Sequence, residues 1–134
     1  MSIVDCDHDV LQAATRLSTA FGARDLQAAM DCFVSDDQIS YEGSESGEKA
    51  VGRAAVVQLL SDVFARPEAY IWEIRDAEVF VKDDVAYLSC ETTGYTLTDS
   101  GAGKSFSYRL CGLLQNTESG WRWRACHGCE PAMQ

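Results

Sequence analysis

The chain has 134 residues, of which 46% are hydrophobic, and its 21 acidic and 11 basic side chains give a net charge of −10. This length and composition fit one globular domain with a buried core, while the negative surface argues against nucleic acid or a membrane as a partner. The acidic first residues differ from a signal peptide and no apolar run is long enough to span a membrane, so we expect a cytoplasmic protein.

The first half of the chain is predicted to be mainly helical. Apolar residues recur at helical spacing over residues 10–21, and Asp7 or Asp9 is available as the N-cap. A second apolar pattern covers residues 23–33, and a third covers residues 52–66, after which a proline follows. We therefore expect three helices.

Strands dominate the second half of the chain. Polar turns at residues 83–84, 100–103 and 116–120 separate long segments in which apolar and polar residues alternate. Long strands joined by such short turns form an antiparallel meander. Helices followed by strands, without a linker or an internal repeat, predict a single α+β domain over residues 1–134. The predicted strands are 38–42, 69–82, 85–98, 104–115 and 121–130, with a polar loop at 43–49.

The predicted hairpin at the end of the chain carries two unlike faces. Alternation places Arg109 on the same side of its strand as Ser105, Ser107 and Cys111, and on the side opposite Tyr108. The neighbours of Arg109 on the strand are of residue types that are usually buried. An arginine in such a segment indicates a cavity lined by polar groups rather than a purely apolar core.

Two of the six cysteines, Cys126 and Cys129, form a C-x-x-C segment. A redox pair needs its first cysteine at a helix N-terminus, whereas this segment ends a strand. A zinc site would need a second ligand pair, for which only Cys6 and His8 are available. Without a nucleotide-binding motif either, we predict no metal and no other cofactor, and we expect the thiols to be reduced. The cysteines predicted to be core residues are Cys32, Cys90 and Cys111.

Four stretches follow one another in an order that is specific for a fold: residues 21–33, Val51-Gly-Arg-Ala-Ala-Val56, Tyr108-Arg-Leu and Trp123-Arg-Ala-Cys-His127. Together they resemble the nuclear-transport-factor-2-like superfamily and, within it, the SnoaL-like branch. The resemblance implies a cystatin-like fold: three N-terminal helices packed in the concave face of a strongly bent antiparallel sheet, a cone-shaped barrel with a pocket at one end. It also implies a homodimer formed through the sheet.

Glu42 is the first candidate catalytic group. It falls where the ketosteroid isomerases, which are similar in layout, carry their general-base carboxylate, and an apolar pocket would raise its pKa toward neutrality. The alternative is an exposed loop glutamate in an acidic protein. Those isomerases also stabilise the enolate with a tyrosine and an aspartate, whose positions correspond here to Leu17 and to residues 109–111. Because both groups are missing, steroid isomerisation is not expected.

Glu91 and Arg109 form a second candidate pair on neighbouring strands. Inside a cone they would satisfy each other's charge. Arg109 could then bind a ligand carboxylate, while Glu91 acts as a base or acceptor. The alternative is a structural ion pair, or two residues at the dimer face.

His127 is the third candidate catalytic group, because a histidine on a pocket wall can shuttle protons near neutral pH. Alternation places His127 on the same strand face as Trp123. The alternative is a structural histidine that hydrogen-bonds the backbone. The candidate substrate-binding residues, besides Arg109, are Tyr41, Tyr95 and Trp123, and Trp72 and Tyr87 are further candidate pocket walls.

Two functions follow from these observations, because the fold that the resemblance implies serves isomerases, dehydratases, epoxide hydrolases, cyclases and association domains alike. The first is a cofactor-free acid–base enzyme of the isomerase, dehydratase or cyclase type, acting on a small apolar or carboxylate-bearing molecule. The second is a non-catalytic ligand-binding or oligomeric association module. The two are distinguished by whether the polar candidates converge on one cavity.

Overall fold

Three helices form in the first half of the chain, as the sequence predicts. The computed structural model describes residues 3–131, including every side chain in that range except those of residues 3–6 and 102. None of the described helices is long and apolar enough to cross a bilayer. The helices are α1 (Ile3–Ala23), α2 (Leu26–Asp31) and α3 (Arg53–Phe64).

The helix α1 is longer at its start than predicted. It begins at Ile3, so the N-cap prediction for Asp7 or Asp9 is wrong, and both residues lie within the first two turns. The apolar positions of α1 face the core, where Val10, Ala14, Leu17 and Phe21 are buried.

The helix α2 is shorter than the predicted segment 23–33. α1 continues to Ala23, and Arg24 then takes a left-handed φ of 52°, which breaks the helical path. The carboxylate of Asp25 accepts a hydrogen bond from the backbone N–H of Ala28 at 3.0 Å, and α2 begins behind this cap. The apolar pattern in the sequence runs across the break, so it predicts a longer helix.

The sheet has six strands: β1 (Ser40–Glu42), β2 (Lys49–Val51), β3 (Ala69–Lys82), β4 (Val85–Thr98), β5 (Gly101–Thr117) and β6 (Gly120–Cys129). Their order across the sheet is β2-β1-β6-β5-β4-β3. The meander from β3 to β6 is antiparallel, as predicted, whereas β1 pairs with β6 in parallel. β2 was not predicted, because it begins at the end of the segment interpreted as a polar loop.

The sheet is bent around α1 but does not close into a barrel. The strand order leaves β2 and β3 at its two edges. α1 packs against both β3 and β6, which are separated by two strands, so the sheet wraps around the helix. Register shifts in the β3–β4, β4–β5 and β5–β6 pairs supply local bending. The predicted α+β class, with helices on the concave face of a bent sheet, is thus confirmed. The sheet itself is open rather than closed into a barrel.

A bulge between β5 and β6 changes which residues of β6 face the core. Leu114 pairs with Trp123 and Leu113 pairs with Ala125, so Arg124 is an extra residue without a partner in the register. One extra residue reverses the alternation of side chains. Trp123 is consequently buried in the core and His127 is exposed on the outer face, and the prediction that they share a face is wrong.

Candidate functional site

A cavity of about 300 Å³ lies between the concave face of the sheet, the loop 43–48 and the C-terminal end of α3. This volume is at the small end of the range for ligand sites, which is roughly 300–1,000 Å³. Exposed charged side chains form its rim, namely Glu45, Lys104 and Glu130. The buried residues of its floor are Phe21, Tyr41, Val63, Trp72 and Gly94.

Five aromatic side chains form a continuous arc along the cavity. The ring centroid of Phe21 lies 6.0 Å from that of Tyr41 and 5.1 Å from that of Trp72. Trp72 stacks on Tyr108 at 6.1 Å with an angle of 24° between the ring planes. Phe106 meets Tyr108 edge-on at 5.9 Å. Aromatic pairs are favourable at these distances, so the arc is a stable apolar wall.

Two glycines make room for this aromatic arc. A Cβ atom on Gly94 would lie 2.4 Å from the Phe106 ring, and a Cβ atom on Gly128 would lie 1.8 Å from the Tyr108 hydroxyl. Both distances are far inside van der Waals contact, so a larger residue would displace the ring. The segment 126–129 therefore shapes the cavity through its glycine.

Tyr41 and Tyr108 place two neighbouring phenol groups in this cavity. Burial holds the pKa of the Tyr41 phenol well above its usual range, and Tyr108, Cys126 and Glu48 nearby add to the effect. Burial likewise raises the pKa of Tyr108, with Cys126 and Glu48 contributing. Both phenols keep their protons at neutral pH, and each can donate a hydrogen bond to a ligand oxygen.

Glu48 brings a carboxylate to the same cavity, held by two contacts. Its Oε2 lies 3.1 Å from Nη2 of Arg66, and its Oε1 accepts a hydrogen bond from the backbone N–H of Glu45 at 2.9 Å. Gly43 permits this arrangement, because a Cβ atom there would lie 2.7 Å from Glu48 Oε1. The contacts tie the loop 43–48 to the end of α3.

Trp72 contributes its ring to the cavity wall. Its backbone N–H and C=O both bond to the hydroxyl of Ser18 at 3.0 Å, which fixes the residue in β3. Its side-chain Nε1 is buried and has no hydrogen-bond acceptor among the described residues. A buried donor without an acceptor costs about 1–3 kcal/mol.

Glu91 and Arg109 lie on the outer face of the sheet, outside the cavity lining. They are opposite each other in β4 and β5, and Arg109 Nε lies 2.6 Å from Glu91 Oε1. The side chains remain 43% exposed for Arg109 and 52% exposed for Glu91. The expected pairing therefore forms, but on the solvent side, because the neighbouring Tyr108 and Leu110 positions face inward.

Glu42 and His127 also meet on the outer face. They are opposite each other in the parallel pair of β1 and β6, with His127 Nε2 at 3.7 Å from Glu42 Oε2. Both side chains are partly exposed, and neither lines the cavity. The predicted site residues thus meet in two pairs, Glu42 with His127 and Glu91 with Arg109, and both pairs lie outside the cavity lining.

The five predicted aromatic wall residues occupy three different environments. Tyr41 and Trp72 line the cavity, whereas Trp123 is fully buried in the core. Tyr87 and Tyr95 lie on the outer face of β4. Of the residues predicted to form the site or its walls, Tyr41 and Trp72 are thus the ones that line the described cavity.

Three polar residues of the cavity are not among the predicted site residues: Tyr108, Glu48 and Arg66. Tyr108 was placed on the opposite face from Arg109, so its alternation with Leu110 was a usable signal. Glu48 lies in a loop and Arg66 follows the end of α3. Nothing in the spacing of Glu48 and Arg66 indicates that they meet.

The described cysteines are all free thiols. Cys90 is buried, which raises the pKa of its thiol to about 12, and burial also raises the pKa of Cys126 well above its usual range. Cys111 is half-buried on the outer face, so its prediction as a core residue is wrong, whereas Cys32 is buried as predicted. Among the described side chains, no three His, Cys, Asp or Glu lie close enough to hold a metal ion. The side chain of Cys6 lies outside the described residues.

Comparison with known proteins gives a family match over most of the chain. The family model described as a SnoaL-like domain matches residues 10–133. No curated protein sequence matches the chain at a significant level.

Solved structures share the fold at low sequence identity. A provisionally named dehydratase of the NTF2-like family from Streptomyces avermitilis has a TM-score of 0.82 and 16% identity, over 97% of this chain and 98% of that one. A provisionally named aromatic ring hydroxylase from Novosphingobium aromaticivorans has a TM-score of 0.83 and 17% identity, over 99% and 94%. An NTF2-like protein with a cystatin-like fold from the same organism has a TM-score of 0.75 and 18% identity, over 98% and 86%. Such similarity establishes the fold alone.

Proposed function

Because the chain belongs to the SnoaL-like domain family, we propose that it binds a small, largely apolar molecule and performs cofactor-free acid–base chemistry on it. The observation that carries this proposal is a pair of phenols, the buried Tyr41 and the half-buried Tyr108, near the carboxylate of Glu48 in one cavity. Structural neighbours named as a dehydratase and a ring hydroxylase have the same fold, which supports an enzyme-like pocket.

In the proposed step, Glu48 removes a proton from a carbon next to a carbonyl group, and the electron pair of the broken C–H bond moves onto the carbonyl oxygen. The hydroxyls of Tyr41 and Tyr108 donate hydrogen bonds to that oxygen. These bonds strengthen as negative charge develops, so they stabilise the enolate more than the ketone. Glu48 then returns the proton to the same carbon or to another one.

The proposal assigns the base role to Glu48 and not to Glu42. Glu42, Glu91 and His127 were predicted as catalytic from sequence, and those roles are untested. Their side chains are partly exposed on the outer face, where water weakens both desolvation and charge interactions. Arg109 has Glu91 as its partner, so it does not supply an anion site in the cavity.

One observation favours the second function, a binding module without catalysis. Both carboxylate oxygens of Glu48 are already engaged, one by Arg66 and the other by the backbone N–H of Glu45. A carboxylate with both oxygens engaged has to give up one of these contacts before it can take a proton from a ligand. In this alternative the cavity holds a ligand, and Glu48 only fastens the loop 43–48.

Proton exchange separates the two functions without knowledge of the natural substrate. If the protein is an enzyme, it should exchange the methyl protons of acetophenone for deuterium in D2O faster than buffer alone does. Proton NMR measures this rate. Replacement Glu48→Gln abolishes the excess rate, whereas the matched outer-face replacement Glu42→Gln leaves it unchanged. Saturable binding of acetophenone without any exchange would instead establish the binding module.

We also propose that the outer face of the sheet forms a homodimer. Phe80, Tyr87 and Leu113 follow one another across β3, β4 and β5, and Phe80 is 61% exposed. Phe80 stacks on Tyr87 with ring centroids 6.4 Å apart, which gives a flat apolar patch. An exposed apolar patch on a sheet is typical of an association surface.

Light scattering coupled to size exclusion tests the dimer. The expected mass is twice that of the chain, and Leu113→Glu shifts it to the monomer because a charge is then buried at the interface. Val51→Glu is the matched control, since Val51 is an equally apolar exposed residue on the edge strand β2. A monomeric parent protein at high concentration would exclude this surface as a dimer interface.

A further inference from the structure

A second concavity lies between α1, α2 and the start of β6. It has a volume of about 380 Å³ and is lined by residues of both helices, by Asp25 and Cys32 at the two ends of α2, and by Arg122 of β6. No described residue lines both this concavity and the cavity beneath the concave face of the sheet. We call this separate concavity the α1–α2 groove.

Two arginine side chains of the groove bond to the same backbone oxygen. Nη2 of Arg16 donates a hydrogen bond to the carbonyl of Trp121 at 3.0 Å, and Nη1 of Arg122 donates one to that carbonyl at 2.9 Å. The two guanidinium groups are therefore close neighbours, although one is carried by α1 and the other by β6. A guanidinium has further N–H donors, which a ligand oxygen can bond.

The two positive charges lie together without a negative partner. No carboxylate among the described side chains forms an ion pair with Arg16 or Arg122. Burial and then the charge of Arg16 lower the pKa of the Arg122 guanidinium, yet an arginine keeps its proton at neutral pH. The net charge of the chain is −10, but salt screens distant charges beyond about 8 Å. An anion between the two guanidinium groups would offset their repulsion.

The two carboxylates that line the groove have other partners. The carboxylate of Asp25 caps α2, and that of Asp31 accepts a hydrogen bond from the side chain of Gln27 at 2.9 Å. The charge of Asp31 acts on Arg122 in the direction opposite to that of Arg16, although no ion pair forms. These negative charges disfavour a ligand with two negative charges more than a ligand with one.

The rest of the groove lining is small and uncharged. It consists of Thr15, Thr19, Ala20, Ala23, Ala28 and Cys32. Burial raises the pKa of the Cys32 thiol, so this group keeps its proton at neutral pH and behaves as a small apolar side chain. Methyl groups and a neutral thiol can pack against a short hydrocarbon chain. The lining therefore suits a ligand with one charged end and a compact apolar body.

We propose that the α1–α2 groove binds a small carboxylate, whose oxygens accept hydrogen bonds from Arg16 and Arg122 and whose apolar body lies on the alanine residues. A carboxylate has two acceptor oxygens in one plane, so each guanidinium can bond to one of them. The proposal goes beyond the proposed function, because it concerns a second site. It also gives the expected carboxylate-bearing ligand a position away from Arg109, which is already paired with Glu91.

Four small probes test the proposal: pentanoate, acetate, pentanamide and inorganic phosphate. Acetate lacks most of the hydrocarbon chain of pentanoate, pentanamide lacks its charge, and phosphate has no apolar body. Binding to the whole chain is followed by the chemical shifts of 15N-labelled protein, including the arginine Nε–H resonances. Pentanoate should bind saturably and about 10-fold more tightly than pentanamide, because hydrogen bonds to a charged acceptor are the stronger ones. Acetate and phosphate should bind more weakly than pentanoate.

Replacement of each arginine tests its role. Arg16→Gln and Arg122→Gln should each weaken pentanoate by about 10-fold, because one charge-assisted hydrogen bond is lost. The control Arg75→Gln makes the same change of charge at an exposed residue of β3 outside the groove and should leave binding unchanged. Denaturation midpoints measured alongside show whether the variants are folded. In the parent protein, movement of the Arg16 and Arg122 Nε–H resonances gives a measurement that needs no variant.

The outcomes separate this proposal from the proposed function. Equal binding of pentanoate and pentanamide, or no binding of pentanoate at all, would overturn the proposal. Phosphate as the tightest probe would overturn the carboxylate class. Pentanoate shifts confined to Tyr41 and Tyr108 would place the ligand in the cavity and would also overturn it. None of these results touches the proposed function, which acetophenone exchange tests at the cavity.

Discussion

The polar groups on the two faces of β4 and β5 differ in their hydrogen-bond partners and in their exposure to water. On the outer face, Glu91 and Arg109 are paired at 2.6 Å and about half exposed, so their charges are satisfied by each other and by water. On the inner face, Tyr108 is half-buried beside the rings of Trp72 and Phe106, and burial raises the pKa of its phenol, so the hydroxyl keeps its proton. Charges that are already paired have little to offer a ligand. A protonated hydroxyl on a cavity wall can donate a hydrogen bond to one.

The largest effect is expected where a glycine supports the inner face. Gly128→Ala would place a Cβ atom 1.8 Å from the Tyr108 hydroxyl and displace that ring. We expect loss of acetophenone binding and a fall of about 1–3 kcal/mol in the free energy of unfolding, which is typical of overpacking. His127→Ala, at the adjacent position on the outer face, is the control and should change neither quantity. Normal binding by the alanine variant would show that the position of Tyr108 is unimportant.

The next effect concerns the two phenol groups. Tyr41→Phe and Tyr108→Phe each remove one donor to the developing enolate, so the rate of deuterium exchange should fall about 100-fold for each. Tyr95→Phe makes the same chemical change on the outer face and should leave the rate unaltered. Equal exchange rates in all three variants would show that the phenols of the inner face take no part in the mechanism.

A smaller effect is expected on stability at alkaline pH. The pKa of Tyr41 is raised by burial in the folded chain, while a tyrosine in the unfolded chain ionises near pH 10. Above that pH the unfolded chain has lost a proton that the folded chain retains, so the free energy of unfolding decreases as the pH rises. The slope per group is at most about 1.4 kcal/mol per pH unit.

Denaturant unfolding of Tyr41→Phe and of the parent between pH 8 and pH 11 measures this slope. The variant should lose stability less steeply above pH 10. Cys90 and Cys126 act in the same direction in both proteins, because their thiol pKa values are also raised, and so they cancel in the difference. Identical slopes would mean that the Tyr41 phenol is accessible to water.

The smallest effect is expected on the outer face. Glu91→Gln and Arg109→Gln each remove one charge of an exposed pair, and such pairs contribute little to stability because water and salt screen them. We expect unchanged exchange rates and unchanged denaturation midpoints at moderate salt. A large fall in the deuterium exchange rate of either variant would indicate that the active site lies on the outer face.

Much of the fold could be predicted from the sequence, because it depends on local patterns. The segments 69–82 and 85–98 were predicted with the bounds that β3 and β4 have, since strong alternation meets a two-aspartate turn at residues 83–84. The parallel pairing of β1 with β6 and the presence of β2 depend on contacts between distant segments of the chain. Three-residue strands carry too little pattern to reveal such contacts.

The site was harder to predict, for two physical reasons. Alternation tells which residues of a strand share a face, but not which face is buried. From the sequence, the face of Arg109 is expected to line the cavity, whereas that face is the outer one. In β6 the extra residue Arg124 also reverses the alternation, which moves His127 to the outer face. Glu48 and Arg66 meet only because the loop 43–48 folds against the end of α3.

A crystal structure of the protein with acetophenone tests the central claim most directly. The account predicts the ketone in the cavity, with its ring against Phe21 and Trp72 and its oxygen within about 3.2 Å of the Tyr41 or Tyr108 hydroxyl. A ketone bound instead on the outer face, beside Arg109 or His127, would contradict it.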